Sequence, residues 1–202
     1  MTLTWYGHSC FHLKSKDGSL LFDPYTPGSV PGLLLPPLCA DKVLCSHGHG
    51  DHNYASGVKL TGGEFIGKIT FLPTWHDEVQ GRKRGANRIT VVETEGKRLA
   101  HCGDIGHPLS EKELEELGRI DVLLIPVGGF YTVDAAGARA IADSIGADTV
   151  IPMHYRGDGF GYDVTSTVDG FVKLSENVRF AGKNTLSDGE LTGKQTVVLS
   201  LP

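Results

Sequence analysis

Apolar residues along this chain fall in short clusters, most of them too brief for a helix. Thr2 to Tyr6, Cys10 to Lys14 and Leu20 to Asp23 have the make-up of short strands. Gly7 and the Asp17-Gly18 pair supply the turns between them. Further strands are predicted over Lys42 to Ser46, Ile69 to Pro73, Arg88 to Glu93 and Lys97 to Cys102. Asp121 to Val127 is an almost unbroken apolar run, as expected of a strand buried on both faces, and Asp148 to Met153 forms another strand. Helical signals are confined to the second half. Ser110 and Glu113 make a capping box, Leu114 and Leu117 face inward, and Gly118 ends the helix. Asp134 caps a second helix that runs through Ala142 and Ile145 to Gly146. A third is predicted from about Ser166 to Leu174, with two strands after it.

One stretch breaks this rhythm. Pro24 to Ala40 holds five prolines (Pro24, Pro27, Pro31, Pro36 and Pro37) and the run Leu33-Leu34-Leu35. Prolines at this density exclude both helix and central strand. A loop this long inside a compact domain is often functional. Two readings stay open: an apolar tip that covers a pocket or meets a second subunit of a homo-oligomer, or an arm packed on its own core.

Composition narrows the class. The 202 residues are expected to form one domain, 1–202, with a sizeable core. Glycine, at 27 residues, suits many short strands and tight turns. The net charge of −5 lacks the basic balance of a protein that coats nucleic acid. No apolar run approaches the ~20 residues needed to span a bilayer. The start, Met1-Thr2-Leu3-Thr4-Trp5, shows no basic region followed by an apolar stretch, so no signal peptide is expected. Cys10, Cys39, Cys45 and Cys102 form no Cys-x-x-Cys pair, which fits reduced thiols in a cytoplasmic protein, with Cys102 in the core.

The chemistry is concentrated in Ser46-His47-Gly48-His49-Gly50-Asp51-His52. In an extended segment His47, His49 and Asp51 share a face, and His52 is free to aim elsewhere once the backbone turns. Imidazole nitrogen and carboxylate oxygen are the ligands that suit zinc, iron or manganese. The pattern His-x-His-x-Asp-His resembles the signature of the metallo-β-lactamase superfamily. The resemblance implies a four-layer αβ/βα sandwich, an α/β fold of two mixed sheets flanked by helices, with one or two metals between the sheets. It also implies ligands further along, and His76, Asp104 and His154 each follow a strand-like run. By this resemblance His47, His49 and His76 hold a first ion, Asp51, His52 and His154 a second, and Asp104 bridges. Zinc, manganese and iron(II) all suit the set. Gly7-His8-Ser9 and Leu21-Phe22-Asp23-Pro24 resemble the opening of a branch that includes ascorbate-6-phosphate lactonase and N-acyl-phosphatidylethanolamine phospholipase D. His8 then lies near the metals, as a candidate to meet substrate, or else satisfies a turn; His12 reads as structural.

Two ions about 3.5–4 Å apart can hold a hydroxide, with Asp51 in the catalytic set, and no side-chain nucleophile is required. Neither Gly-x-Ser-x-Gly nor a Gly-rich phosphate loop with lysine occurs. The expected reaction is hydrolysis of an ester, lactone, phosphodiester or thioester of a small molecule. Arg82, Lys83, Arg84 and Arg88 follow closely on His76 and are candidates to bind an anionic substrate; the alternative is a solvated hairpin. His107 and Tyr131 are candidates to protonate a leaving group. Rival readings are a di-iron redox protein of the same fold, a nuclease, and a non-catalytic metal scaffold.

Overall fold

The computed structural model describes residues 1–201. The first half builds β1 (Thr2–Trp5), β2 (Phe11–Ser15), β3 (Gly18–Phe22), β4 (Cys39–Ala40), β5 (Lys42–Leu44), β6 (Lys59–Leu60), β7 (Lys68–Trp75), β8 (Ala86–Thr94) and β9 (Lys97–His101). The second half alternates: α1 (Glu111–Leu117), β10 (Val122–Pro126), α2 (Ala135–Ile145), β11 (Thr149–Met153) and α3 (Asp169–Lys173). It closes with β12 (Val178–Phe180), β13 (Thr185–Ser187) and β14 (Gln195–Val198).

Two mixed sheets carry the fold. One has the order β13-β1-β2-β3-β5, antiparallel except where β3 runs parallel to β5. The other has the order β12-β14-β11-β10-β9-β8-β7. Its β7-β8-β9 meander is antiparallel, and from β9 through β10 and β11 to β14 the pairing is parallel. The main core lies between the sheets, where Leu3, Trp5, Phe11 and Leu13 share one cluster with Ile89, Leu99 and Leu124. Strand β3 shows how alternation serves two cores. Leu20 and Phe22 enter the main cluster, whereas Leu21 points the other way into a second.

That second cluster answers the question left by the proline-rich stretch. Tyr25, Val30 and Leu33 pack with Cys10, Leu21, Ala40 and Val58, none of them in an α-helix. The arm therefore packs on its own core and supplies the outer layer on this side, leaving Leu34 exposed. It leans on a glycine-rich loop far along the chain: the Gly161 N–H donates to the Pro31 carbonyl, and a Cβ on Gly32 would run into the Gly159 carbonyl. On the seven-stranded side α2 packs against β10 and α3 through Ala138, Ile141 and Ala142.

Two local expectations change. The third helix is shorter than 166–174 because the Ser166 N–H donates to the Gly128 carbonyl and its own carbonyl accepts from Arg156. Three strands, not two, follow it, and β13 leaves to join the other sheet. The two-residue pair β4-β6 had no pattern long enough to read.

The capping predictions match the ends observed. The Ser110–Glu113 box is formed in both directions, Asp134 accepts from the Gly137 N–H, and Gly146 adopts the left-handed conformation. Replacing Asp134 with Ala removes the α2 cap and is expected to cost ~1 kcal/mol. In a chain of this size that lowers Tm by about 2–4 °C, measurable by calorimetry, with metal content unchanged.

Candidate metal centre

The candidate residues come from both sheets and meet where their loops face each other. His8 lies between β1 and β2, and His47, His49, Asp51 and His52 follow β5. His76, Asp104 and His154 follow β7, β9 and β11, whose ends deliver them to the same place. Asp104 is the centre. Its Oδ2 lies 3.2 Å from Nε2 of His52 and of His76, 3.1 Å from that of His154, and 4.0 Å from that of His47. The donor atoms form three overlapping groups: His47, His49 and His76; His8, Asp51, His52 and His154; and His47, His52 and Asp104. Within each group they lie no more than 4.8 Å apart.

Several of these atoms converge without a hydrogen-bond partner. Asp104 Oδ1 and Nε2 of His47, His52 and His154 are buried and have no hydrogen-bond partner. Native interiors rarely leave such groups unsatisfied, because burying a polar atom without a partner costs free energy. Lone pairs that converge in this way fit a cation, and the donor set suits Zn²⁺, Mn²⁺ or Fe²⁺. Among the described residues no cysteine joins the groups; Cys102 is packed in the core as expected.

The electrostatics agree. Burial pushes the Asp104 carboxyl up, but His154 and His52 outweigh it and hold it well below the usual range. Burial alone would lower the His52 imidazole, yet Asp104 and Asp23 raise it well above its ordinary value. The spot between these carboxylates thus draws positive charge. His8 and His47 are pushed down to about 3 and about 4, chiefly by burial and by the neighbouring His154 and His52 respectively. They are neutral at pH 7, the form that ligates.

Three buried side chains escaped the pattern reading. Asp23 accepts from the Ser46 N–H and hydroxyl, both at 2.6 Å, and from His52 Nδ1–H at 2.7 Å. His52 is thereby fixed with Nε2 toward Asp104. Asn87 accepts the Asp104 N–H at 3.0 Å and donates to the Cys102 carbonyl and to Thr74 Oγ1, both at 2.9 Å. His101 joins the Ser9 carbonyl to the Gly103 N–H, linking the His8 loop to the Asp104 turn. Gly103 has φ +55°, and a Cβ there would strike Asn87 and Ser46. Backbone strain collects here as well: His8, Asp23 and His154, with φ +50°, +42° and +54°, are non-glycine residues in the left-handed region.

A cleft of about 290 Å³ opens on the centre. His49, Asp51, His76 and Asp104 form its inner end, and Lys83, Arg84, Tyr131 and Tyr162 line the rest. Tyr162, not anticipated, is 3.2 Å from Asp51 Oδ2, the same oxygen that His8 Nε2 approaches at 3.2 Å. His8 therefore faces the centre rather than merely satisfying a turn. Arg84 donates to the Phe130 carbonyl at 2.8 Å and lies over the Tyr131 ring. Arg82 and Arg88 do not reach the cleft. Arg82 is exposed, and Arg88 donates to the Cys45 carbonyl at 2.9 Å with its guanidinium over Phe71. His107 is also turned away from proton transfer. Its Nε2 accepts the Trp75 N–H at 3.1 Å and its Nδ1–H donates to the Pro108 carbonyl at 2.8 Å, which leaves neither nitrogen free.

A family model, the beta-lactamase superfamily domain, matches residues 2–154. A protein of Carboxydothermus hydrogenoformans named UPF0173 metal-dependent hydrolase is 30% identical over 193 residues, covering 77% of this chain and 84% of its own. A namesake from Methanoregula boonei is 34% identical, covering 77% and 82%. A crystal structure from Thermotoga maritima, described as a Zn-dependent hydrolase of the metallo-beta-lactamase superfamily, superposes with a TM-score of 0.82 at 33% identity, over 100% of this chain and 99% of that one.

Because Asp23 orients His52, Asp23→Ala should weaken metal binding about 10–100-fold, read by competition with a chromophoric chelator. Unchanged affinity would show that His52 needs no such support. Stripping the wild-type protein with a chelator should lower its Tm, because only the folded chain assembles the ligands.

Proposed function

This chain belongs to the metallo-β-lactamase superfamily as a metal-dependent hydrolase, and on that premise we propose that it cleaves an ester-type bond in an anionic small molecule. The bond would be a phosphodiester, a lactone or a phosphorylated lactone. The observation that supports this reading is the junction of two features in one cleft: the unpaired donors around Asp104, and the cations of Lys83 and Arg84. The proposed load is two divalent ions, zinc, manganese or iron. His47, His49 and His76 would hold one, and Asp51, His52 and His154 the other, with Asp104 shared and His8 alongside. Ions bound there supply Lewis acidity and make hydroxide available near neutral pH.

The protein's own groups do the rest. The buried imidazoles and carboxylates are preorganised by Asp23, Asn87 and His101, so little rearrangement is needed when a ligand arrives. Arg84 presents a planar guanidinium to the cleft, suited to a phosphate or carboxylate. Lys83 is partly neutralised by Glu78, which leaves Arg84 the stronger anion contact. Tyr131 and Tyr162 carry the hydroxyls on the outer wall, and with His107 engaged by backbone, Tyr131 is the better candidate to meet the leaving group. The relatives' names favour hydrolysis over a di-iron redox role, and the net charge of −5 weighs against a nucleic-acid substrate. An open cleft against the ligand set favours catalysis over a metal scaffold.

Arg84→Ala should raise KM for an anionic ester by roughly tens-fold and leave KM for a neutral ester and the metal content nearly unchanged. Arg84→Lys should recover only part of the loss. The difference should shrink with added salt, since exposed charges are screened over ~8–10 Å. Equal responses from anionic and neutral esters would point to a neutral lactone or ester instead.

A further inference from the structure

Asp77 follows the candidate ligand His76 and is buried, yet it touches neither the centre nor the cleft. Its carboxylate is fully occupied by the loop ahead of it. Oδ1 accepts the N–H groups of Val79 and Gly81, both at 2.9 Å. Oδ2 accepts those of Lys83 at 2.9 Å and Arg84 at 2.8 Å. The loop then closes on the strand end it left: the Gly85 N–H donates to the Gly81 carbonyl, and the His76 N–H to that of Gly85. On the other side, Gly106 presses so near that a Cβ would meet the backbone of His76 and Asp77. His76, the cationic loop and the turn after Asp104 are thus packed as one unit.

We propose that Asp77 is a positioning residue for substrate: by gathering four backbone N–H groups it sets Lys83 and Arg84 at a fixed reach from the metal centre. It thereby fixes the distance between the anionic group of the substrate and the bond that is cut. This rests on the anionic-substrate reading above and adds to it a determinant of which anions fit. The requirement is for a carboxylate. Four donors need two acceptor oxygens, and an asparagine offers one. In Asp77→Asn the oxygen can keep Val79 and Gly81, while the amide NH₂ would face the N–H groups of Lys83 and Arg84. The half of the loop that carries the cations is released without a change of side-chain size. Gly81→Ala reaches the same loop from another point. Gly81 has φ +77°, and a Cβ there would come within 2.7 Å of the Trp75 ring and 2.9 Å of the Gly85 carbonyl.

The test uses inorganic phosphate as the probe, titrated calorimetrically into metal-loaded wild type, Asp77→Asn, Gly81→Ala and Arg84→Ala. Metal content is fixed by elemental analysis, and amide exchange is followed at Lys83 and Arg84. The expected result is phosphate binding weakened about 3–10-fold in Asp77→Asn and Gly81→Ala and more in Arg84→Ala, with metal content retained. The Lys83 and Arg84 amides should exchange faster in Asp77→Asn. If Arg84→Ala weakens phosphate but the other two bind as wild type does, the positioning role is overturned and the anionic reading stands. If Arg84→Ala changes nothing, or wild type does not bind phosphate, the anionic reading falls and this inference with it. Should Asp77→Asn not fold, Gly81→Ala decides alone.

Discussion

A carboxylate with no solvent to share its charge governs this molecule. Asp104 is buried among four imidazoles, and an isolated ion in such a place would be prohibitively costly. The surrounding chain compensates by bringing positive or polarisable partners to it from both sheets. Each partner then needs its own orientation, and Asp23 supplies it for His52 while Asn87 holds the Asp104 backbone. The layers of the fold follow from the same demand. Both sheets must approach closely at one end, and the apolar cluster between them is what holds that approach.

The scaffold contributes stiffness rather than chemistry. Strands β9, β10 and β11 are parallel, almost wholly buried neighbours, and two of them end in residues of the centre. From these strand ends Asp104 Oδ2 and His154 Nε2 come within 3.1 Å of each other, Asp104 after the short turn at Gly103. The left-handed conformations at His8, Asp23 and His154 are tolerated because the packed surroundings over-determine them. The cleft side differs. Loops 77–85 and 128–133 meet through Arg84, which reaches the Phe130 carbonyl and the Tyr131 ring, so the contact between them rests on few side chains.

What could be read in advance was what is local. His47 to His52 stand within one short segment, and the caps of α1 and α2 are signalled within a few residues, so both were visible. The strand runs marked His76, Asp104 and His154 as candidates because each lies just past a strand end. Asp23, Asn87 and Tyr162 were invisible as site residues, since their partners at Ser46, Asp104 and Asp51 are far away in sequence. Arg88 illustrates an error of parity. It neighbours Asn87 on β8, and alternation sends one side chain toward Asp104 and the other toward Cys45 and Phe71. The two backbone groups that claim the nitrogens of His107 are marked by no side-chain type. The terminal strands were undercounted for a related reason: β13 takes its meaning only from pairing with β1 at the opposite end of the chain.

The seam between Gly32 and Gly159 bears on how the molecule comes into being. These loops meet backbone to backbone across most of the chain's length, and the ring of donors likewise spans His8 to His154. Contacts between such distant segments form late in folding, because the entropy of closing so large a loop must first be offset by other structure. A ribosome must release both loops before the seam can close. Until then the donors between His8 and His154 stand apart. The assembled set of donors is therefore a property of the finished fold and of no single fragment of the growing chain.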